Sequence, residues 1–148
     1  MKVETTRFGT LEIQEDQIID VPLGLIGFSN ERQYALLEHR KGSPFFWFQS
    51  IDNGALAFVL VDPFLFKPDY EIQLSSEDVE ALKLENGEGS LQGVQPMVIV
   101  NISKGDPKEI TVNLLGPIVF NLPKRLAKQV VLYHHPYSQH YQIPLSQN

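Results

Sequence analysis

The apolar residues of this chain come in short runs, and turn-forming groups interrupt them at close intervals. Ala57-Phe-Val-Leu-Val61, Met97-Val-Ile-Val100 and Ile118-Val-Phe120 are apolar at every position. Asp52-Asn-Gly54, Gly105-Asp-Pro107, Leu115-Gly-Pro117 and Leu122-Pro-Lys124 supply turns around them. Runs this short do not make helices, and they suit central strands buried on both faces. Leu11-Glu-Ile-Gln14, Tyr70-Glu-Ile-Gln-Leu74 and Ile110-Thr-Val-Asn-Leu114 alternate instead, as strands with one dry and one wet face do. Many short strands with regular turn punctuation predict a mainly β chain folded as a small antiparallel, barrel-like domain.

One short helix, near 75–85, breaks this pattern. Ser75 is placed to cap it, with Glu77 in the first turn and Asp78 three residues on. Val79 and Leu82 give it a narrow apolar side, and Asn86-Gly87 is a stop signal. Glu85 to Gln95 reads as a polar loop. From His134 onward the chain is polar, with Pro136 and Pro144 and no clear period. The expected organisation is a single β-barrel-like domain over 1–133 and a loosely docked polar tail over 134–148.

The 148 residues suit one domain, and a chain of that size buries about 70% of its unfolded surface without staples. There is no cysteine, which excludes disulfides, thiolate zinc sites and a cysteine nucleophile. The N-terminal Met-Lys-Val-Glu-Thr-Thr-Arg has no apolar signal-peptide core, and no apolar run approaches the ~20 residues that span a bilayer. A cytoplasmic protein without membrane contact is expected. The net charge of −6 argues against direct nucleic-acid binding, which relies on phosphate neutralisation. It fits a basic protein partner, or simply solubility.

More than half of the aromatic residues lie between Phe45 and Tyr70: Phe45, Phe46, Trp47, Phe48, Phe58, Phe64, Phe66 and Tyr70. Phe46 to Phe48 and Phe58 sit in strand-like runs and are expected in the core. Phe64, Leu65 and Phe66 lie between Pro63 and Pro68, where a regular buried strand is hard to build. They either present an apolar anchor to a partner or fold back over the barrel mouth as a plug. Asp62, Lys67, Asp69, Tyr70 and Glu71 would surround such an anchor. Asp62, Phe64, Leu65, Phe66, Lys67, Asp69, Tyr70 and Glu71 are therefore the candidate partner-binding residues.

Catalytic chemistry is poorly supported. Asp62 and Asp69 are carboxylates that a small hydrolase would need close together, but both flank prolines, as turn residues do, and Asp52 precedes Asn53-Gly54. His134, His135 and His140 lack metal-ligand spacing, and His39 sits beside Arg40 and Lys41 in a loop. Ser43, Ser50, Ser75 and Ser76 show no nucleophile elbow, and Gly87-Glu-Gly-Ser90 lacks the phosphate-loop lysine. Asn101-Ile-Ser103 is a glycosylation acceptor only in a secreted chain. Lys124, Arg125 and Lys128 form a small basic cluster that reads as a solvated turn. No catalytic, metal or cofactor-binding residue is assigned.

Four segments in order resemble the flagellar assembly factor FliW family. They are Thr6-Arg-Phe-Gly-Thr-Leu-Glu-Ile13, Val21-Pro-Leu-Gly-Leu-Ile-Gly-Phe28, the run Ser43 to Tyr70 with Phe46-Trp-Phe-Gln-Ser50 and Val61-Asp-Pro-Phe-Leu-Phe66, and Val112-Asn-Leu-Leu-Gly-Pro-Ile-Val119 followed by Lys128-Gln-Val-Val-Leu132. The tail from His134 lies outside the match. A monomer when free is the default expectation for a small acidic chain. The resemblance implies a barrel-like β fold and a binding protein that is not an enzyme. Its implied partners are CsrA, an RNA-binding translational regulator whose repression of flagellin translation the family antagonises allosterically, and flagellin itself. A general protein-binding adaptor is the other non-enzymatic reading.

Overall fold

The computed structural model of the chain describes residues 1–84, 93–102 and 109–143. In chain order the strands are β1 (Lys2–Thr5), β2 (Gly9–Glu12), β3 (Ile18–Asp20), β4 (Gln33–Glu38), β5 (Phe45–Ser50), β6 (Ala57–Val61), β7 (Gln95–Ile102), β8 (Ile110–Val112), β9 (Ile118–Asn121), β10 (Leu126–Gln129) and β11 (Tyr141–Ile143). The helix α1 (Ser76–Ala81) follows β6. The Gly105-Asp-Pro107 turn and the Asn86-Gly87 stop lie outside the described residues.

Seven strands close a barrel. Antiparallel ladders join β3, β4, β5, β6 and β7 in sequence. β7 then pairs with β9 through Gln95↔Phe120 and Met97↔Ile118, and β9 pairs with β10. The ring shuts where β10 meets β3 in parallel at Leu126↔Asp20, with Asp20 N–H donating to Arg125 O at 2.9 Å. β7 serves three neighbours, β6 on one edge and β9 and β8 in turn on the other, because it is long. Its second half pairs with β8, and β8 carries β11 as a small wing.

Period-two alternation fills the interior from every wall strand. Ile19, Tyr34, Phe48, Leu60, Met97, Phe120 and Ala127 come one from each of the seven and form a single buried cluster. Phe48 and Tyr34 stack at 4.4 Å between centroids, with planes 7° apart. The opposite side of several strands is apolar too. Val61, Val98, Val119 and Leu126 face outward and are covered by Tyr70, Ile72, Leu74 and Leu82. On another part of the wall, Val3 of β1 and Ile13, just after β2, bury Ala35. The barrel therefore has one internal core and two covered outer patches.

The hairpin is fixed by close backbone approach. Thr6 N–H donates to Gly54 O at 2.9 Å. A Cβ at Gly54 would come within 2.1 Å of Glu4 O, so only glycine lets the hairpin approach. Its turn also covers Trp47. Arg7 lies 4.5 Å from the indole centroid, and Phe8 meets it edge-on at 5.3 Å. Trp47 is thus a partly exposed outer-wall residue and not the core residue expected from its run. Phe46 and Phe58 are half-buried against the internal cluster, and Phe48 is fully buried.

Helix α1 forms where the sequence places it. Ser75 and Asp78 make a reciprocal capping box, and Leu82 is fully buried. It ends at Lys83, which takes the left-handed conformation at φ +53°. The alternating segment Tyr70–Leu74 differs from expectation. Tyr70, Ile72 and Leu74 are buried and Glu71 and Gln73 exposed, yet the segment joins no ladder. Alternation follows from having one dry face, and packing on a barrel wall meets that need without strand pairing. Residues 141–143 of the tail are also docked, since β11 pairs with β8 through Tyr141↔Val112 and Ile143↔Ile110.

Replacing Phe48 by Ala should lower unfolding free energy by about 3–5 kcal/mol, because the ring fills the barrel centre and its stack with Tyr34 is lost. Urea unfolding of the two proteins at equal m-value checks this.

Candidate partner-binding surfaces

Local hydrogen bonding folds the 62–71 segment back on itself. The Asp62 carboxylate accepts from Phe64 N–H at 2.9 Å and caps a single 3-10 turn, Pro63–Leu65. Proline suits the first position of such a turn, since its missing N–H is not needed there. Lys67 N–H then donates to Pro63 O at 2.9 Å, and Tyr70 N–H to Lys67 O at 3.0 Å.

This winding turns the rings inward. Phe64 meets Tyr70 at 6.1 Å, and Phe66 stacks on Tyr141 at 5.9 Å. Tyr70 is only 4% exposed, and its hydroxyl donates to Leu114 O. Burial pushes the Tyr70 phenol pKa up, with a smaller push from Tyr137. Tyr137 packs on Tyr70 at 4.8 Å, and its hydroxyl accepts from Glu71 N–H at 2.8 Å. The Lys67 ammonium sits 5.8 Å and 5.7 Å from the Tyr137 and Tyr141 ring centroids and 3.3 Å from Asp69. Phe64 and Phe66 are half-buried, so they fold back, but onto the outer wall and not over a barrel mouth. Of the three residues Phe64 to Phe66, only Leu65 stands out, at 64% exposed. Asp69 and Glu71 are exposed beside it.

The two carboxylates of the hydrolase reading have other tasks: Asp62 caps its turn and Asp69 pairs with Lys67. Among the described residues, no group of three or more His, Cys, Asp or Glu is gathered for a metal ion. His135 stacks on Tyr137 at 5.2 Å. The basic cluster is dispersed. Lys124 donates to Lys83 O at 2.6 Å, Arg125 to Glu15 O, and Lys128 forms an ion pair with Asp78 at 2.5 Å. Burial pushes the Asp78 carboxyl up, but hydrogen bonds from Lys128 and Ser75 outweigh it and hold the pKa below its ordinary value.

A second surface was not among the candidates. Leu23 and Ile26 are exposed, and Phe28 is at the margin of exposure, on the 21–28 loop. Gly24 shapes this loop at φ +68°, where a Cβ would come within 2.6 Å of Ser29 Cα. Gln129 anchors it, accepting from Ile26 N–H at 2.8 Å and donating to Gly116 O at 3.0 Å. Ile26, Phe28, Phe58, Ile99 and Val131 line a cleft of about 240 Å³ there. It shares Phe58, Ile99, Asn113 and Gln139 with a wider groove that runs to Trp47, Arg7 and the exposed Ile102. The signal in the sequence was Leu-Gly-Leu-Ile-Gly-Phe: apolar residues between glycines, in a stretch too irregular to be a strand.

The fold and these surfaces define a closed seven-strand β-barrel with an outer-wall cover, a two-strand wing and open apolar grooves. The chain belongs to the FliW family: the model of the FliW protein family matches residues 2–143. It is 47% identical over 132 residues to the flagellar assembly factor FliW of Syntrophus aciditrophicus, covering 89% of this chain and 80% of that protein. It is 41% identical over 138 residues to the same factor of Natranaerobius thermophilus, covering 93% and 89%. A crystal structure of the flagellar assembly factor FliW superposes with a TM-score of 0.85 at 35% identity over 99% of both chains. No helix among the described residues is long and apolar enough to cross a membrane.

Two outcomes follow from the geometry. Tyr70→Phe leaves the Leu114 carbonyl without its donor in a buried site and should cost about 1–3 kcal/mol, read by denaturant unfolding. Asp78 has a folded pKa below its ordinary 3.8, so its pairing stabilises the protein fully above that pH and is lost as pH falls through the depressed value. Asp78→Asn should therefore lower stability at neutral pH by about 3 kcal/mol and flatten the acid limb of a stability–pH curve.

Proposed function

We propose that this protein is a cytoplasmic flagellar assembly factor that works by binding and not by catalysis. It binds the translational regulator CsrA and antagonises its repression of flagellin translation. It also binds flagellin, so that free flagellin occupies the factor and flagellin export releases it to act on the regulator. The observation that carries this reading is the end-to-end likeness to proteins named flagellar assembly factor FliW, with the full barrel retained. No nucleic acid need be touched. Antagonism of an RNA-binding protein from a site away from its RNA requires different affinities for its RNA-competent and RNA-incompetent states.

The net charge of −6 supports a basic partner and accelerates encounter with it. Leu65 offers an exposed apolar contact beside Asp69 and Glu71, and the Ile26–Phe28 groove offers a second face. Two separate faces suit a protein that deals with two partners.

On a sizing column, the purified protein should comigrate with CsrA and, separately, with flagellin, and added flagellin should release CsrA. Binding to CsrA should weaken from low to high salt, since exposed charges are screened beyond roughly 10 Å at 0.1 M. Leu65→Asp should lower affinity for one partner with the unfolding midpoint retained, because that side chain is solvent-exposed. Phe66→Ala is a poorer probe, since its ring packs on Tyr141. Absence of comigration with folded partners at micromolar concentration would sink the reading and leave the general adaptor.

A further inference from the structure

Among the described residues, one groove of this acidic chain is lined without an acid. The cleft beside Ile26 and Phe28 opens into a groove of about 550 Å³ that reaches Trp47, Arg7 and Ile102. No Asp or Glu lines either part, and Arg7 and His140 are the titratable side chains there. In a chain with 18 Asp and Glu against 12 Lys and Arg, such a groove lets a carboxylate approach without a like charge beside it.

The floor of the groove is apolar. Trp47 stands opposite Val59, and Val59 opposite Val100, across β5, β6 and β7. Ile102, at the end of β7, lines the same groove and is 53% exposed. The polar groups placed there favour an acceptor. Arg7 is exposed, and its guanidinium lies over the indole, 4.5 Å from the centroid. It makes no hydrogen bond or ion pair with a described residue. The ring therefore holds the guanidinium in place with its N–H groups uncommitted, ready for a carboxylate. Asn113 commits its Oδ1 to the Leu115 and Gly116 N–H groups, at 3.1 and 3.0 Å, which leaves its amide N–H groups to offer.

Apolar floor and uncommitted cation together select the occupant. A basic segment would set its charge against Arg7, and a wholly apolar one would cover the guanidinium without pairing its N–H groups. We propose that this groove takes a segment of a protein partner in which apolar side chains flank one Asp or Glu, with the apolar side chains on Trp47, Val59 and Ile102 and the carboxylate on Arg7. Trp and Arg are also the residue types enriched where an interface concentrates its binding energy. The inference rests on the reading of this groove as a partner face and adds the chemistry of what fills it. It gives the chain a face for an acidic segment, separate from the exposed Leu65 and its acidic neighbours.

Trp47 is the one tryptophan of the chain, so its fluorescence reads the groove directly. The probe is a decapeptide of leucine and serine with a central glutamate, acetylated and amidated so that the side-chain carboxylate is its only charge. Adding it to the full chain should shift the Trp47 emission saturably. The same peptide with glutamine or lysine at the centre should bind about tenfold more weakly, the difference a charge-assisted hydrogen-bonded pair makes. Arg7→Gln, altered at an exposed position, should keep its unfolding midpoint and bind the glutamate and glutamine peptides equally. Ile102→Asp, which puts a carboxylate into the groove, should weaken the glutamate peptide more than the glutamine peptide. No shift of Trp47 emission, equal binding of the lysine peptide, or discrimination that survives in Arg7→Gln would each overturn the proposal. So would an emission shift with protein concentration alone, which would make a second copy of the chain the occupant. Comigration with CsrA or flagellin is read separately, and its failure would leave the peptide result standing.

Discussion

Everything in this molecule depends on β7 pairing in two directions. Its first half closes the barrel against β9, and its second half leaves the ring to pair with β8. Closure satisfies the backbone groups of seven strands and removes the open sheet edges that would otherwise recruit another chain. It also allows every wall strand to send one buried residue into a common interior. A strand eight residues long meets both demands, where a shorter one would leave either the barrel open or the wing unsupported.

Closure creates a second problem, because strands such as β9 are buried at all four positions. A barrel apolar on both faces must have its outside covered. The hairpin β1–β2 covers one patch, and the segment from Pro63 to Leu82 covers the other, assisted by residues 130–143. These covers are held mainly by side chains, with few backbone ladders to the wall. Exposed Leu65 and the acidic 69–80 stretch both occur on one of them. The wall strands, by contrast, are joined to one another by backbone ladders.

Much of the fold could be read from local pattern. The runs at 57–61, 97–100 and 118–120 are wall strands, and the capping box at Ser75 starts the helix. Each depends on contacts within a few residues or on period-two burial. Other features were out of reach. The Tyr70–Leu74 alternation looks the same for a paired strand and for an extended cover, since both need only one dry face. Trp47 sits in an aromatic run whose composition signals core, but alternation sends it outward, where Arg7 and Phe8 meet it from a hairpin some forty residues earlier.

The candidate site divides along the same line. The sequence determined that Asp62 and Pro63 start a turn, that aromatic and acidic residues share it, and that the chain carries a net charge of −6. These are matters of residue type and near neighbours. Only the tertiary structure decided which ring faces water. Tyr137 and Tyr141, remote in the chain, close over Tyr70 and Phe66 and leave Leu65 outside. It also decided that Lys128 neutralises Asp78 from fifty residues away. Long-range pairing sets burial and charge compensation, and no local pattern encodes which distant segment will arrive.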